Sequence, residues 1–321
     1  MRVFLLLLAL LPLQAPAQDS AAHFPAKPVR MVVPYAAGGL PDTMARLVGQ
    51  KMGEALGQNV LVENRPGAGG ISGTELVVKS PADGYTLLIA DVGQVAINPH
   101  LYAKLPYDPL KDLAPVSLIG TSTLFLVAHA AVPASTFAEL VALARAQPGK
   151  LNYGSSGTGS IMHIATEVLK AALKLDLVHV PYKGTAQSVP ALLGGQVSLL
   201  YSALPSIESH VKAGRVKLLA VSTLKRSPEA PAVPTIAELG VAGYDFAPEI
   251  GLLAPAGTPA AVIRRLAAEM AKAVRTADVA QRFAQLGIEP AGTTPEAYAA
   301  IIRSSYDRYR EAVRISGARA E

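Results

Sequence analysis

The chain has 321 residues with no Cys and no Trp, and its 29 basic and 24 acidic residues give a formal net charge of +5. The absence of Cys excludes thiol catalysis and disulfide scaffolding. The basic residues are spread singly, whereas a nucleic-acid-binding surface needs clustered Lys and Arg with stacking aromatics, so no nucleic-acid partner is expected.

The N-terminus has the pattern of an export signal. Arg2 is followed by an apolar run of about 11 residues from Val3 to Leu13, and Ala15-Pro16-Ala17 matches an A-x-A cleavage site. The run is shorter than the roughly 20 residues needed to span a bilayer. Residues 1–17 are therefore predicted to be a cleavable signal peptide, and the mature chain, which has no Cys for a lipid anchor, is predicted to be periplasmic.

Short β-branched or Leu-rich runs then alternate with amphipathic stretches. This alternation is typical of βαβ units, in which helices cover a sheet of parallel strands. The predicted elements are strand 29–33, helix 42–56, strand 60–63, helix 72–79, strand 85–90, helix 136–146, helix 160–173, strand 177–180, helix 186–193, strand 197–201, helix 207–213 and strand 216–222. The sequence therefore predicts an α/β fold with two such units.

The C-terminal part changes character. After residue 254 the sequence predicts only helices, at 260–276, 279–286 and 295–316. Because helices without strands must pack on an existing sheet, we expect the chain to leave a first domain, build a second and return to finish the first. The predicted boundaries are domain 1 at 24–125 plus 249–321 and domain 2 at 126–248. Two crossover strands would form a hinge, and the cleft between such domains is the expected ligand site.

Two glycine-rich turns each lead from a strand into a helix. The first contains Tyr35, Ala37, Gly38, Gly39 and Asp42. Backbone amides and the helix dipole at such a turn favour an anion such as a carboxylate. An equally open alternative is an ordinary tight βα turn in which Asp42 only complements the dipole.

The second turn brings together Ser155, Ser156, Thr158, Gly159 and Ser160 at the start of a helix. Its hydroxyls and unhindered amides favour ligand contact, although a flexible Gly/Ser linker is the alternative. His163 lies one turn into that helix and is a further candidate contact, against a solvated or packed imidazole as the default.

Two more loops follow predicted strands. Lys183, in the turn 179–185, offers positive charge to an anion or is simply solvated. Gln94, in the loop 91–98, is expected to lie over the same cleft.

Enzyme signatures are largely missing. The chain lacks G-x-S-x-G, H-E-x-x-H and G-x-x-x-x-G-K-[ST], and its six His residues have no metal-ligand spacing, so neither a metal nor a cofactor is expected.

Two enzyme alternatives stay open. Glycines at 67–73, after the strand 60–63, have nearly the spacing of a dinucleotide site, which would make an exported NAD-type oxidoreductase; close helix packing is the plainer interpretation. A hydrolase would need Ser155, Ser156 or Ser160 beside a basic His such as His163.

A set of longer motifs resembles a known family. They are V-P-Y-A-A-G-G-L-P-D-T-M-A-R (33–46), V-E-N-R-P-G-A-G-G (62–70), A-I-N-P-H-L-Y (96–102), P-G-K-L-N-Y-G-S-S-G-T-G-S (148–160), H-V-P-Y-K-G-T (179–185) and L-L-A-P-A-G-T-P (252–259). The chain resembles the Bug-type solute receptors of the tripartite tricarboxylate transporter systems. The resemblance implies a two-domain type II periplasmic-binding-protein fold, each domain a mainly parallel sheet flanked by helices. It also implies a receptor that is no enzyme and closes like a Venus flytrap on a carboxylated solute, held by the two glycine-rich turns.

The resemblance also suggests partners and ligand class. Membrane transporter subunits are the expected partners, with a membrane sensor kinase as the alternative, and a monomer is the expected form. Relatives often carry Asp in the segment where this chain has Ser198 to Ser202, whose Tyr201 and Ser202 are candidate ligand contacts. Losing that acid favours a plain mono- or dicarboxylate over an amino acid, unless Glu249 points into the cleft.

Overall fold

The computed structural model describes residues 24–319, and the predicted signal peptide, residues 1–17, lies outside the described residues. The strands and helices are β1 (Val29–Val33), α1 (Leu40–Leu56), β2 (Val60–Asn64), α2 (Ile71–Val78), β3 (Thr86–Ala90), α3 (Asn98–Leu101), β4 (Leu113–Ser122), β5 (Phe125–His129), α4 (Phe137–Ala146), β6 (Asn152–Ser155), α5 (Ile161–Leu173), β7 (Val178–Pro181), α6 (Thr185–Leu193), β8 (Leu199–Ser202), α7 (Glu208–Lys212), β9 (Val216–Val221), β10 (Glu249–Pro255), α8 (Ala260–Ala273), α9 (Ala277–Gln285), β11 (Ile288–Pro290) and α10 (Pro295–Ser316).

Two sheets organise these elements. The first has the strand order β11-β4-β10-β3-β1-β2 and the second the order β7-β6-β8-β5-β9; each sheet with its covering helices is called the first or the second lobe. The predicted α/β units are present, but the expectation of mainly parallel sheets is wrong. β1 pairs in parallel with β2 and β3, whereas β10 runs antiparallel to β3 and β4, and β5 runs antiparallel to β8 and β9. Both sheets are mixed because the strands that connect the lobes run against the strands of the βαβ units.

The chain crosses between the lobes twice, from β4 to β5 and from β9 back to β10, as the sequence predicted. Backbone hydrogen bonds hold the two crossings side by side, from Ser122 N to Pro248 O at 3.1 Å and from Ser222 N to Leu124 O at 2.9 Å. Such paired crossings are the usual place for a hinge. The residue numbers given above for the domain boundaries remain a prediction.

The C-terminal segment departs from the sequence prediction in one element. Residues Ile288–Pro290 form β11, antiparallel to β4, where only helices were expected. Three residues are too few to show a strand period, and the terminal Pro is tolerated because β11 is an edge strand. The following helix, α10, reaches the second crossing, where Arg308 pairs with Asp245 at 2.7 Å and with Glu249 at 2.8 Å.

The apolar core continues from one lobe into the other. Val32 and Leu88 of the first lobe belong to the same buried cluster as Tyr153 and Leu199 of the second. The lobes are therefore packed together in this structure. Between residues 24 and 319, no helix combines the length and the apolar character needed to cross a membrane.

Candidate functional site

A cavity of about 180 Å³ lies between the two lobes. Loops and helix ends of both lobes form its wall. From the first lobe come Tyr35, Gly69, Asp91, Val92, Gly93, Asn98, Leu101 and Tyr102, and from the second come Ser156, Thr158, Gly159, Ser160 and Ile161. A ligand held here would touch both lobes at once.

The second-lobe wall is a loop that joins β6 to α5. The loop places Ser156, Thr158 and Ser160 on the cavity, and α5 begins at Ile161 directly beside it. The Ser160 hydroxyl caps α5 by accepting a hydrogen bond from the His163 amide at 3.4 Å. The first amides of a helix have no partner within the helix and carry the positive end of its dipole. This wall is thus suited to a negatively charged group.

Two imidazoles, those of His163 and His179, support this loop by hydrogen bonds to residues of the loop. The Ser155 hydroxyl lies 2.7 Å from Nε2 of His179, and the Gly159 amide donates to Nδ1 of His163 at 3.1 Å. The two rings stack with centroids 4.1 Å apart. Burial lowers the pKa of His163, and burial together with the neighbouring His163 lowers the pKa of His179 to about 4. Both imidazoles are therefore neutral at neutral pH, as the acceptor role of His163 requires.

Gly159 marks the place where the lobes touch. Its φ is +79°, and a Cβ built on it would lie 2.2 Å from Cδ2 of Leu101 on α3. Glycine meets both demands, because it adopts positive φ readily and has no side chain to separate the lobes.

The first-lobe wall is organised around Gln94, which is fully buried in a π-helical turn after β3. Its Oε1 accepts from the Asp91 amide at 3.1 Å, and its Nε2 donates to the Tyr35 hydroxyl at 2.8 Å and to Gly69 O at 3.1 Å. Gln94 therefore supports the wall and leaves contact with the cavity to Tyr35 and Asp91. Burial first, and then the adjacent Asp91 carboxyl, raise the pKa of Tyr35, which stays a neutral phenol.

Asp91 gives the cavity an acidic group. Its Oδ1 accepts from the Gly93 amide at 2.6 Å, and the Tyr35 hydroxyl is a second neighbour. Burial raises the pKa of Asp91 in spite of these two hydrogen bonds. None of the wall residues is Lys, Arg or His, so any positive potential at the cavity comes from backbone amides and the start of α5.

Apart from Tyr35, the first glycine-rich turn lies beside the cavity without lining it. Ala37, Gly38 and Gly39 are exposed. Asp42 is buried, and its Oδ2 accepts from the Gly38 amide at 2.8 Å and from Nε of Arg46 at 3.1 Å. Burial opposes ionisation of Asp42, but these hydrogen bonds and one from Asn64 lower its pKa. Asp42 thus stabilises the conformation of the first glycine-rich turn and does not contact the cavity.

The structure brings together five of the sequence-predicted site residues on the cavity wall: Tyr35, Ser156, Thr158, Gly159 and Ser160. Gln94, Ser155 and His163 do not line the cavity but support its wall by hydrogen bonds. The other candidates lie elsewhere: Ala37, Gly38, Gly39, Asp42, Lys183, Tyr201 and Ser202.

Local contacts explain why several of these candidates do not line the cavity. Lys183 is exposed in the turn before α6. The hydroxyl of Tyr201 lies 2.7 Å from that of Tyr244, and Ser202 donates to Ala203 O at 3.2 Å, so both are used inside the second lobe. Glu249 accepts from Ser305 and Arg308 on α10, which turns it away from the cavity.

Sequence reasoning missed the other first-lobe residues of the wall, namely Gly69, Asp91, Val92, Gly93, Asn98, Leu101 and Tyr102. A signal for Asp91 was present, because it directly follows β3, and ligands of open α/β sheets bind beyond the carboxyl ends of the strands. Leu101 and Tyr102 gave no such signal, since an apolar or aromatic side chain after a short helix is as common in a core.

The geometry also bears on the two enzyme alternatives. A Cβ on Gly73 would lie 2.8 Å from Arg65 O and 2.9 Å from Cβ of Pro34, so this glycine allows α2 to pack closely on the sheet. The Ser155 hydroxyl does meet a His, His179, but burial lowers the pKa of this imidazole to about 4, and Ser155 is fully buried. Both features have a structural role in the fold.

A larger groove of about 890 Å³ runs along α1 and the outer strand β2. Its lining includes Gly49, Gly53 and Leu61 and belongs to the first lobe alone. The groove cannot be closed by movement of the lobes, so the smaller cavity between them is the better candidate.

Comparison with known proteins agrees with this architecture. Residues 44–317 match the family model of the tripartite tricarboxylate transporter family receptor. BugT of Bordetella pertussis is 36% identical over 301 residues, which cover 94% of this chain and 92% of BugT.

Solved structures of similar proteins give the same result. An R. palustris protein solved with adipate superposes with a TM-score of 0.83 at 34% identity, covering 92% of this chain and 98% of that one. MatC from Rhodopseudomonas palustris with bound malate superposes with a TM-score of 0.81 at 32% identity, covering 90% and 100%. These likenesses confirm the predicted two-domain periplasmic-binding-protein fold. The chain therefore belongs to the tripartite tricarboxylate transporter receptors, the Bug-type family of periplasmic solute-binding proteins.

Proposed function

We propose that this protein is a periplasmic receptor for a small organic mono- or dicarboxylate, which it delivers to a tripartite tricarboxylate-type membrane transporter without catalysing a reaction. The observation that carries the proposal is the cavity between the lobes, where hydroxyls of the second-lobe loop and the start of α5 form one wall. The proteins of similar structure solved with adipate and with malate support a carboxylate as the ligand.

The chemistry of the wall fits this class of ligand. Ser156, Thr158 and Ser160 can donate hydroxyl hydrogen bonds to a carboxylate, and the first amides of α5 add donors with a favourable dipole. A hydrogen bond to a charged group contributes about 1.5–3 kcal/mol. A few such bonds, with apolar contact from Leu101 and Ile161, can supply the roughly 8 kcal/mol of micromolar binding.

Delivery would rest on closure of the lobes. A ligand that touches both walls stabilises the closed form by its extra contacts there, and the hinge at the two crossings lets the lobes separate when the cavity is empty. A transporter can then distinguish loaded from empty receptor by the relative position of the lobes.

The ligand class can be tested with protein that has been unfolded and refolded to remove any solute bound during expression. We expect a library of mono- and dicarboxylates to contain members that raise the melting temperature and bind with micromolar Kd in calorimetry. Small-angle scattering should show a smaller radius of gyration with such a ligand. Matched esters or amides of the same acids serve as controls, because they keep the shape and lose the charge.

Two results would contradict the proposal. One is the absence of binding by any carboxylate up to millimolar concentration, and the other is equal binding of acids and their amides. Turnover of a bound acid into a product would contradict the receptor role in particular.

Export and delivery need their own tests. The intact mass of protein released from the periplasm should correspond to a chain without residues 1–17, and gel filtration should give a monomer. Transport of the identified ligand should be lost when the receptor gene is deleted and restored by the intact gene. Loss of ligand-dependent signalling with transport unchanged would favour the sensor-kinase alternative.

A further inference from the structure

The two walls of the cavity differ in polarity. Second-lobe residues Ser156, Thr158 and Ser160 present hydroxyls beside the start of α5, whereas the first lobe presents the carboxyl group of Asp91. One end of the cavity therefore attracts negative charge, and the other repels it when Asp91 is ionised.

Hydrogen bonding around Asp91 leaves it with spare acceptor capacity. The amide group of Gln94 is already occupied, because Oε1 accepts from the Asp91 backbone and Nε2 donates to Tyr35 and Gly69. The Tyr35 hydroxyl also contacts both amide atoms of Gln94, since it accepts from Nε2 at 2.8 Å and donates to Oε1 at 3.2 Å. The Gly93 amide donates to Oδ1 of Asp91, and even with the Tyr35 hydroxyl as a second neighbour the carboxylate, which has about four acceptor sites, keeps spare acceptor capacity.

The cavity wall contains no positive group that could use these sites. Lys, Arg and His are absent from the wall residues. A plain dicarboxylate that reached from one wall to the other would place its second carboxylate next to Asp91, and like charges at close distance in a partly buried site are costly. A ligand that carries a hydrogen-bond donor at this end would instead complete the environment of Asp91.

Resting on the proposed function above, we propose that Asp91 is a specificity-determining residue, which accepts a hydrogen bond from an ammonium or hydroxyl group on the bound carboxylate. The ligand carboxylate lies against the loop of Ser156 to Ser160, and the donor group faces Asp91. The proposal replaces the expectation of a plain acid, which rested on the absence of an acidic side chain near the cleft.

The size of the cavity limits the ligand. A volume of about 180 Å³ equals roughly six water molecules at about 30 Å³ each. Acids of four to six carbons, with an amino or hydroxyl group near one carboxylate, have the matching size.

The test compares acids that share a carbon skeleton and differ in one substituent. The four-carbon set is succinate, malate and aspartate; the five-carbon set is glutarate, 2-hydroxyglutarate and glutamate; the six-carbon set is adipate, 2-hydroxyadipate and 2-aminoadipate. Calorimetry gives the Kd of each acid for the wild-type protein and for Asp91→Asn. The Asn side chain keeps the size of Asp91 but loses its charge and gains a donor.

For the chain length that binds best, the wild-type protein should prefer a substituted acid over the plain one by tenfold or more. In Asp91→Asn this preference should fall by at least tenfold, while the affinity for the plain acid is kept or rises. A larger change for the amino acid identifies the ammonium group as the partner, and a larger change for the hydroxy acid identifies the hydroxyl. The control Asp307→Asn changes a carboxylate that is 69% exposed on α10, and it should leave every ratio unchanged.

A wild-type preference for the plain acid would overturn the inference, and so would an unchanged preference in a folded Asp91→Asn protein. If Asp91 were protonated and donated to a ligand carboxylate, the wild-type protein would bind the plain acid best, which is the overturning result. Should Asp91→Asn not fold, the wild-type ratios decide alone. Failure of the proposed function looks different, because then no member of any set binds the wild-type protein.

Discussion

The two glycine-rich turns look alike in the sequence, but the structure supports them in opposite ways. The turn before α1 is held by an ionised carboxylate, since Asp42 accepts from the Gly38 amide and from Arg46. The turn before α5 is held by neutral imidazoles, since Gly159 donates to His163 and Ser155 contacts His179.

The difference shows that a strand-to-helix glycine turn does not by itself define a binding wall. Each support occupies one amide of its turn, but the glycines of the first turn are exposed beside the cavity. The uncharged support of the second leaves the hydroxyls of Ser156 and Thr158 on the cavity wall. The two turns should therefore respond differently to substitution and to acid.

The largest effect is expected from Gly159→Ala. The added Cβ would overlap Leu101 across the contact between the lobes, so it should oppose closure. Overpacking of this kind costs about 1–3 kcal/mol, which corresponds to roughly a 5- to 150-fold loss of carboxylate affinity in calorimetry.

Gly214→Ala is the matched control for this substitution. Gly214 also has positive φ, at +70°, but a Cβ there would meet no atom within 4 Å. Both variants carry the backbone strain, and only Gly159→Ala carries the overlap. Equal affinity losses in the two variants would show that strain, and not contact between the lobes, is the cause.

Removal of the charged support should act on stability. Asp42→Ala leaves the Gly38 amide, Arg46 and Asn64 without their buried partner, and hydrogen bonds to a charged group contribute about 1.5–3 kcal/mol. We expect a loss of about 2 kcal/mol in the free energy of unfolding, measured by urea denaturation. Because the pKa of Asp42 is lowered in the folded protein, this contribution is present above pH 3.8 and is lost as the pH falls further.

The exposed carboxylate of Asp307, paired with Arg310 at 2.8 Å, is the control. Asp307→Ala should change the free energy of unfolding by less than about 1 kcal/mol, because exposed ion pairs contribute little. If the two variants lose the same free energy of unfolding, the buried hydrogen bonds of Asp42 contribute no more to stability than an exposed ion pair does.

The fold was largely predictable because its signals are local and repeat. The strand Val29–Val33 and the helix Pro295–Ser316 were predicted with the bounds that the structure shows, since each has a clear apolar period. The antiparallel course of β10 and the three-residue β11 were not predictable, because pairing direction depends on the path of the chain between lobes and a very short strand shows no period.

Of the two walls of the candidate site, the sequence predicted the second-lobe wall well and the first-lobe wall poorly. The second-lobe wall followed from hydroxyls and glycines placed before a helix, which is a local pattern. The roles of Asp42 and His163 as supports could not be read from the sequence, because the direction of a side chain at the start of a helix depends on what packs behind it. Asp91 was overlooked in a loop from which only Gln94 was selected.

A smaller effect is expected from acid on the imidazole support. The pKa of His179 is about 4 in the folded protein against 6.5 for a free imidazole, and the pKa of His163 is also lowered. Between pH 6.5 and about 4 the unfolded chain binds protons that the folded protein does not, so the free energy of unfolding falls as the pH falls through this window. Glu167 and Lys170, which lie close by, act on His179 in opposite directions.

His179→Gln should remove part of this pH dependence. We expect the loss of unfolding free energy between pH 7 and pH 4.5 to be smaller than in the wild-type protein by about 1 kcal/mol. His210→Gln, on α7 and away from the turn, is the control. An unchanged pH dependence in His179→Gln would mean that the stacked imidazoles do not stay neutral as the structure implies.

The smallest effect is expected where a single hydroxyl is removed from the cavity wall. Thr158→Val keeps the shape and the β-branch of the side chain and deletes one donor. Because Thr158 is exposed, water can replace this donor, and the cost stays near the roughly 0.5–1.5 kcal/mol of an ordinary hydrogen bond, below that of a buried charged one. Carboxylate affinity should fall about 3- to 10-fold in calorimetry while the melting temperature without ligand stays unchanged, because Thr158 is exposed at the mouth of the cavity. Thr43→Val, in the first helical turn of α1 directly after the first glycine-rich turn, is the matched variant for the other side of the comparison between the two glycine-rich turns. If it lowers affinity as much as Thr158→Val does, the two turns share the ligand equally and the asymmetry between them disappears.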